Sequence, residues 1–404
     1  MSLLCEPNPP PADRAAARLN VDLAVNLIGG REVPADLVEK SRQLETAGPF
    51  GHARWWDSWW RNLRPRGSQL FLLTVSRGDQ LVGLAPWYTQ RVFGLGRVVR
   101  FLGDGRACSD YATIAATHEC RDDVWRAIAD WLAAEAGKSW DTFILEGIST
   151  ADEPWQQLCR QLTAQNILVE QRAVANTWRL VLPETWEAYV ELFSKQHRNR
   201  LRRAKRDLFD SGRAILRRAT TAEDFERGFE IQRRFHQLRR HELGDAGCFA
   251  DPRFEKFLRE ASSRFLADRL LRLQWTEVDG EPVAFDAGFV DGDGVFVYQT
   301  AFDPAKSDLS PGRLHLQASI LKAIEEGYRW FDFLRGDEPY KAHFRATPIP
   351  VLETRIIGPR LVSRLGHRCW KWKKSVKARV RSMLDKKPTP QIAPPSETPA
   401  EAHS

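Results

Sequence analysis

Ser310-Pro311-Gly312-Arg313 is a combination suited to receiving an anion. Ser can cap a helix, Pro fits its first turn, and Gly lets a ligand approach the backbone. Amide hydrogens left free where a helix begins favour a negatively charged group such as a phosphate. A second cluster, Asp332, Arg335, Asp337, Tyr340 and Lys341, follows it. There Asp337 can order or deprotonate an acceptor, while Arg335 and Lys341 can hold an acidic or phosphorylated group. The plainer alternative is an Arg335–Asp337 salt bridge with Lys341 on the surface. Asp286 stands in a run otherwise made of Ala284, Phe285, Ala287 and Phe289. Unless it faces outward, a carboxylate there must be paired or titrate high, which makes it a second candidate base. No Cys or Ser sits in a nucleophile motif with a nearby His and acid. Any group transfer is therefore expected to be direct, without a covalent enzyme intermediate.

These residues need elements to hold them. Val295–Thr300 alternates as a strand that Asp303-Pro304 ends. Leu314, Leu316, Ile320, Leu321 and Ile324 recur at helical spacing, Glu326-Gly327 closes that helix, and Trp330–Leu334 reads as a short buried strand. The second cluster thus leaves the end of a strand, where ligands of open α/β sheets bind.

Upstream, residues 1–16 are Pro/Ala-rich and expected to be disordered, with no basic-then-apolar secretory leader. A helical region is expected through Leu37 and Leu44, then Trp55, Trp56, Trp59 and Trp60 on one helix face, packing in the core. Leu70–Ser76 and Leu81–Trp87 form a hairpin around Gly78-Asp79. Arg97–Leu102 is a strand, Gly103–Tyr111 a polar loop, Ala112–Ala115 a short strand, Arg121–Ala136 a helix and Thr142–Leu145 a strand. A helix and a short strand fill 151–175. A second domain then opens with strand Thr177–Leu182 and a basic helix over Phe193–Phe209, carrying Arg198 and Arg202. Such a run is usually a solvated face, and could instead meet a phosphate-bearing acceptor or RNA. Helices over Ala222–Arg240 and Pro252–Phe265, the hairpin Leu271–Val290 and a strand near Val351–Ile357 complete the body.

The net charge of +7 is uneven: residues 355–387 carry twelve Lys/Arg against Asp385, so the remainder is about −4 and no general polyanion binder. In that basic stretch Leu361–Leu384 is an amphipathic helix with Leu365, Cys369, Trp372, Val376, Val380 and Met383 on one face. It can dock on the body or lie on an anionic membrane surface, docking being slightly preferred. From Lys387 the chain is Pro/Ser/Glu-rich and expected to be disordered. The six cysteines are scattered singly with no ligand spacing, so neither a metal site nor a disulfide framework is expected. With no long apolar run, a cytoplasmic protein is expected.

The two halves repeat. Leu70…Gly78-Asp79-Gln80-Leu81-Val82-Gly83 aligns with Leu271…Asp279-Gly280-Glu281-Pro282-Val283-Ala284, and Trp140…Phe143-Ile144-Leu145-Glu146-Gly147 aligns more loosely with Trp330…Phe333-Leu334-Arg335-Gly336. An internal duplication explains both matches.

The second half resembles the acetyltransferase domain of the GNAT superfamily, in its BioF2-like/CelD-like branch, a neighbour of the FemAB peptidyltransferases. The resemblance rests on Asp303-Pro304, Ser310-Pro311-Gly312-Arg313, Glu326-Gly327, Phe331-Asp332-Phe333-Leu334-Arg335-Gly336-Asp337 and Tyr340-Lys341. Arg198, Arg202 and Arg203 resemble that family's basic helix, His236-Gln237-Leu238-Arg239 its His-x-x-Arg element, and Ser109-Asp110-Tyr111 its first-domain loop. It implies an α/β (α+β) protein of two tandem GNAT-like domains, at 17–175 and 176–358, each a mixed twisted sheet flanked by helices. A basic helix at 359–386 and a tail at 387–404 follow. It further implies transfer of an acyl group from acetyl-CoA or another acyl-CoA to an amine or hydroxyl, without a metal. The acceptor would be small or linked to a lipid or sugar, as in envelope or exopolysaccharide synthesis. Ser310, Pro311, Gly312 and Arg313 would hold the donor. Asp337, Asp286 and Tyr298 would be catalytic, Tyr298 as general acid for a thiolate. Arg335, Lys341, Tyr340, Asp332, His236, Arg198 and Arg202 would bind substrate. The alternatives are a FemAB-like transferase using charged tRNA, and a non-catalytic scaffold with a membrane partner. Peripheral contact with the inner membrane face through the 361–384 helix would suit either an enzyme or a scaffold.

Overall fold

The computed structural model describes residues 23–384, so the expected disordered ends at 1–16 and 387–404 lie outside the described residues. The first half runs β1 (Leu23–Ile28), α1 (Ala35–Lys40), α2 (Ala53–Leu63), β2 (Gln69–Arg77), β3 (Gln80–Val92), β4 (Gly96–Phe101), β5 (Ala115–Ala116), α3 (Arg121–Ala134), β6 (Thr142–Ser149), α4 (Glu153–Ala164) and β7 (Leu168–Val181). Two helices, α5 (Trp186–Glu191) and α6 (Lys195–Ala204), lead to the second half. It runs β8 (Ala214–Arg218), α7 (Ala222–Glu242), α8 (Pro252–Ala267), β9 (Leu271–Val278), β10 (Glu281–Asp291), β11 (Gly294–Phe302), α9 (Pro311–Glu325), β12 (Trp330–Arg335), α10 (Tyr340–His343) and β13 (Thr347–Ile357). Helix α11 (Leu361–Leu384) follows.

The two expected sheets are one. Thirteen strands join in the order β1-β2-β3-β4-β6-β13-β7-β12-β11-β10-β9-β8, with β5 on the side of β3. Read from either edge, the order is a strand, a hairpin, a strand and then a parallel neighbour reached across a helix. The duplication is therefore structural, and its centre lies between β13 and β7. There the halves exchange their closing strands: β7 pairs with β12 of the second half, and β13 returns to pair with β6 of the first. The expected boundary between 175 and 176 falls inside β7, which stays paired to β13 from Leu168 to Arg179.

The helical reading of the region before Leu37 is corrected in part: Leu23–Ile28 is an edge strand paired with β2. The short strand expected before 175 and the strand expected over Thr177–Leu182 are likewise corrected, since both belong to the one continuous strand β7. Trp55, Trp56, Trp59 and Trp60 are all buried. Trp55 belongs to both halves, its ring 4.8 Å from Phe257, 5.6 Å from Phe289 and 5.1 Å from Tyr298. One core therefore crosses the seam, and edge-to-face ring pairs add to the apolar burial there.

Helix α11 docks by its small and polar side. A Cβ at Gly366 would overlap the Gly94 carbonyl, and His367 Nε2 lies 2.9 Å from Glu170. Leu361, Leu365, Cys369 and Trp372 stay exposed. Among the described residues no helix is long and apolar enough to cross a membrane.

Candidate active site

Strands β11 and β12 run parallel and then part. Their pairing covers only Gly294–Phe296 against Trp330–Asp332, although β11 continues to Phe302. Opposite, the β10 register steps from Ala287↔Gln299 to Gly288↔Val297, so Tyr298 is the extra residue of a bulge. Gly288 permits it, because a Cβ there would overlap the Phe296 carbonyl. A parted pair of strands, with a bulge on one of them, leaves a cleft in the sheet.

On the β12 side the cleft is closed by the other half. Asp110 accepts from the Arg335 backbone N–H (3.0 Å) and from its guanidinium (2.8 Å). Tyr111 donates to Asp332 (2.8 Å), which also accepts from Arg179 (2.8 Å). Burial works against the charge on Arg335, and Asp110 more than restores it. Lys341 is buried, its ammonium donating to the Leu334, Arg335 and Gly336 carbonyls at 3.2, 3.0 and 2.9 Å. Leu334 sits at φ 54°, a conformation disfavoured for a branched side chain, and the Asp332 carboxylate accepts its N–H. Arg335 and Lys341 are thus not free to hold an acidic ligand, which corrects the expected role of both. Asp332 is likewise fully buried, a clamp on the strand end instead of a substrate contact. The expected Arg335–Asp337 bridge does not form either. Asp337 is exposed and accepts from Asn176 (3.0 Å) and Trp178 (3.1 Å), which hold its carboxyl below the ordinary range. Tyr340 packs against Phe333, ring centres 6.0 Å apart.

Asp286 is corrected as well. It faces α9, fully buried, 3.2 Å from His315 Nε2, whose Nδ1 is 2.9 Å from Thr276. Burial opposes its charge, but His315 and Arg272 outweigh it, so the carboxyl lies below its usual range. It is a paired core group with no path to an acceptor.

The other end of the cleft has a different character. Ser310 takes a left-handed conformation (φ 48°) and its side chain caps nothing, contrary to expectation; Pro311 does occupy the first turn of α9. Gly312 packs against Phe302, and Arg313 is exposed beside it. His197 marks what surrounds this corner: burial, then Arg200, Arg313, Arg345 and His343, lower its pKa. Among the described residues none of those four has an acidic partner. Arg198 and Arg202, in contrast, are both engaged by Glu191, at 3.0 and 2.9 Å. Of the arginines around His197 that have no acidic partner among the described residues, Arg313 was singled out in the sequence and Arg200 and Arg345 were not.

Residues 195–342 match the family described as the acetyltransferase (GNAT) domain. FemX, a solved structure, superposes with a TM-score of 0.55 at 10% identity, over 81% of this chain and 96% of that one. A conserved protein of unknown function from Bacteroides thetaiotaomicron scores 0.50 at 10% identity, over 82% of this chain and 100% of that one. No curated protein matches the chain. The chain has a tandem GNAT-superfamily fold.

Within the second GNAT-like half the cleft wall along β11 carries Tyr298, which the sequence singled out, and Gln299, which it did not. Tyr298, expected as a general acid, donates to the Ala107 carbonyl (3.0 Å), and burial drives its pKa far up, so it keeps its proton. Its neighbour Gln299 donates to Cys248 Sγ (3.4 Å), and that sulfur lies 3.6 Å from His236 Nε2. The sequence holds no Cys in a nucleophile motif with a nearby His and acid, yet folding brings Cys248 beside His236. His236 ends a helix and Cys248 lies in the loop beyond it, and no short motif joins them.

Proposed function

We propose that the protein is an acyltransferase whose second half moves an acyl group from an acyl-CoA to an amine or hydroxyl. The reading is carried by the corner at the start of α9, where Arg200 and Arg313, both close enough to lower the pKa of His197, have no acidic partner among the described residues. There the Ser310, Arg313 and Leu314 amides are bonded within the turn and leave that of Gly312 for a donor phosphate. A donor pyrophosphate there would place the thioester along β11, in the parted region beside Tyr298 and Gln299. Tyr298 stays protonated, and to protonate a departing thiolate its hydroxyl would have to turn from the Ala107 carbonyl. Asp337, ionised and exposed at the cleft's rim, would orient the acceptor and not deprotonate it strongly, since a carboxylate held below its usual range is a weak base. The acceptor is read as lipid- or sugar-linked. The exposed Leu361, Leu365 and Trp372 on a basic helix would bring the enzyme to an anionic membrane surface where such acceptors reside.

The charged-tRNA alternative is less well supported, because Glu191, Asp207 and Asp210 neutralise most of the α6 arginines and Lys205. Calorimetric titration with acetyl-CoA and, separately, with tRNA separates the two. Saturable acetyl-CoA binding that tRNA does not displace is expected. Salt-sensitive tRNA binding without any for acetyl-CoA would overturn the proposal.

A further inference from the structure

The hairpin joining β3 to β4 pairs Val92 with Gly96 and turns over Phe93-Gly94-Leu95, where the Leu95 N–H donates to the Val92 carbonyl (3.1 Å). Its two large side chains go opposite ways. Leu95 reaches helix α11 at Gly366, whereas Phe93 is 106% exposed and meets nothing. Gly94, at φ 75°, supplies the left-handed residue the tip needs, and nothing in that turn calls for an aromatic beside it. Gly366 lets the two elements close on each other, because a Cβ there would overlap the Gly94 carbonyl. The hairpin is thus seated on the helix. On α11 the exposed Leu361, Leu365 and Trp372 follow spacings of four and seven and form one stripe, while Ser363 and His367 are buried on the other side. Val362, half-exposed one turn before Gly366, carries this apolar surface from the stripe toward the hairpin. Single exposed apolar side chains are ordinary, but a group drawn from two packed elements marks an interaction surface. Charge decides what it meets. α11 has no acidic residue, and Arg91, Arg364 and Arg368 are exposed with no acidic partner among the described residues. An apolar patch flanked by unpaired guanidiniums fits a bilayer that carries anionic headgroups. A second copy of the chain fits poorly, since it would bring two acid-free basic helices together.

Resting on the membrane placement of α11 read above, we infer that the β3–β4 hairpin is a second membrane anchor, with Phe93 entering the headgroup–acyl boundary of an anionic bilayer beside the α11 stripe. The helix alone gives a line of contact, about which the body is free to roll. Phe93 adds a point off that line and stops the roll, so the protein meets the bilayer in one orientation. Because Gly366 seats the hairpin directly on the helix, folding has already brought the two anchors together, and insertion of one holds the other at the surface. Arg91, at the base of the hairpin, and Arg364 and Arg368, on the helix, keep their guanidiniums at headgroup level while their stems lie along the apolar boundary. Lys371 takes no part in this, being held by Glu170 at 2.9 Å.

The test uses the full chain and co-sedimentation with phosphatidylcholine vesicles, prepared with and without phosphatidylglycerol. The native protein should partition onto the phosphatidylglycerol vesicles, and less so as salt is added. F93S should melt as the native chain does, since the side chain touches nothing, yet lower the partition coefficient about tenfold. F93W should restore it. R91Q, R364Q and R368Q together should cost about fivefold per charge on the phosphatidylglycerol vesicles and nothing on the neutral ones. Native partition by F93S, with loss of binding in L365S combined with W372S, would overturn the inference and leave the placement by α11 intact. So would self-association in analytical ultracentrifugation that F93S abolishes, because the patch would then belong to a second copy. Failure of the native chain to bind either vesicle would overturn the membrane placement, and this inference with it.

Discussion

α3 and α9 hold equivalent places in the two halves. Each follows a strand that runs parallel to the strand after the helix, β4 with β6 and β11 with β12. Their first turns differ in sign. α3 opens with Asp122 and Asp123, which sit well against the helix's own positive end and repel an incoming anion. α9 opens with Pro311, Gly312 and Arg313, and Arg200 reaches the same corner from α6. The loops before the two helices diverge as well. In the first half the loop crosses the seam, with the Tyr111 hydroxyl donating to Asp332 and Asp110 holding Arg335. In the second half it stays on the surface ahead of α9. Duplication supplied the geometry of a site twice. One copy carries the charges that the proposed donor corner calls for, and the other forms a wedge for its neighbour.

Breaking the wedge should have the largest effect. Asp110→Ala leaves the Arg335 guanidinium in the seam without its partner, so urea denaturation should show a loss of about 3 kcal/mol. Asp110→Ala combined with Arg335→Ala should lose less than the two separate changes added together, because the second removes the stranded charge. A cost under about 0.5 kcal/mol for Asp110→Ala would mean that the halves are held by their apolar core alone.

Acid should then tell the halves apart. Burial raises Asp104, in the first half, to a pKa of about 6 from 3.8, although Arg100 and Tyr88 pull it down. Between those values the folded state holds a proton that the unfolded state has released, so this group's contribution falls as pH rises. His236, in the second half, is lowered to about 4 from 6.5, so the unfolded state binds the extra proton and stability rises with pH over that window. Each group is worth about 3 kcal/mol over its window, with opposite signs. Because the two windows overlap, their slopes largely cancel in the native chain, so between pH 4 and 6 His236→Gln should uncover a falling curve and Asp104→Asn a rising one. Identical curves for both variants and the native chain would contradict these assignments.

The donor corner gives a smaller effect. Arg200→Ala with Arg313→Ala should weaken acetyl-CoA binding by about tenfold at low salt, the gap narrowing as salt is added. The smallest effect is expected from the matching change in the first half. Asp122→Asn with Asp123→Asn should leave acetyl-CoA affinity unchanged and cost about 0.5 kcal/mol of stability. If instead it altered affinity as much as the α6/α9 pair does, the assignment of the donor to α9 alone would fail.

Much of the fold was legible because its signals are local. Hairpins declared themselves by alternation around Gly78-Asp79 and Asp279-Gly280, and α9 by apolar residues at helical spacing behind Pro311. The candidate site was legible only in outline. The segment from Asp332 to Lys341 was picked out correctly as polar and unusual, but its charges face inward. Arg335 meets a carboxylate that is 225 positions away in the chain, and Lys341 meets three carbonyls that its own turn presents. Asp286 required His315, and nothing in a strand's alternation tells which of its two faces a helix will cover. Cys248 looked like one of several isolated cysteines.

From its sequence alone this chain determined which segments form strands and helices, that the plan is used twice, and where the helix behind Pro311 begins. Those properties depend on neighbours within a turn or a hairpin, so each is written within a few residues. Tertiary structure decided that the halves share one sheet by trading β7 and β13, which charges are neutralised across the seam, and which cysteine meets a histidine. Those outcomes depend on pairings between distant segments. Whether a polar group there is buried and partnered, or exposed and free, sets the sign of its pKa shift and what chemistry is left for it.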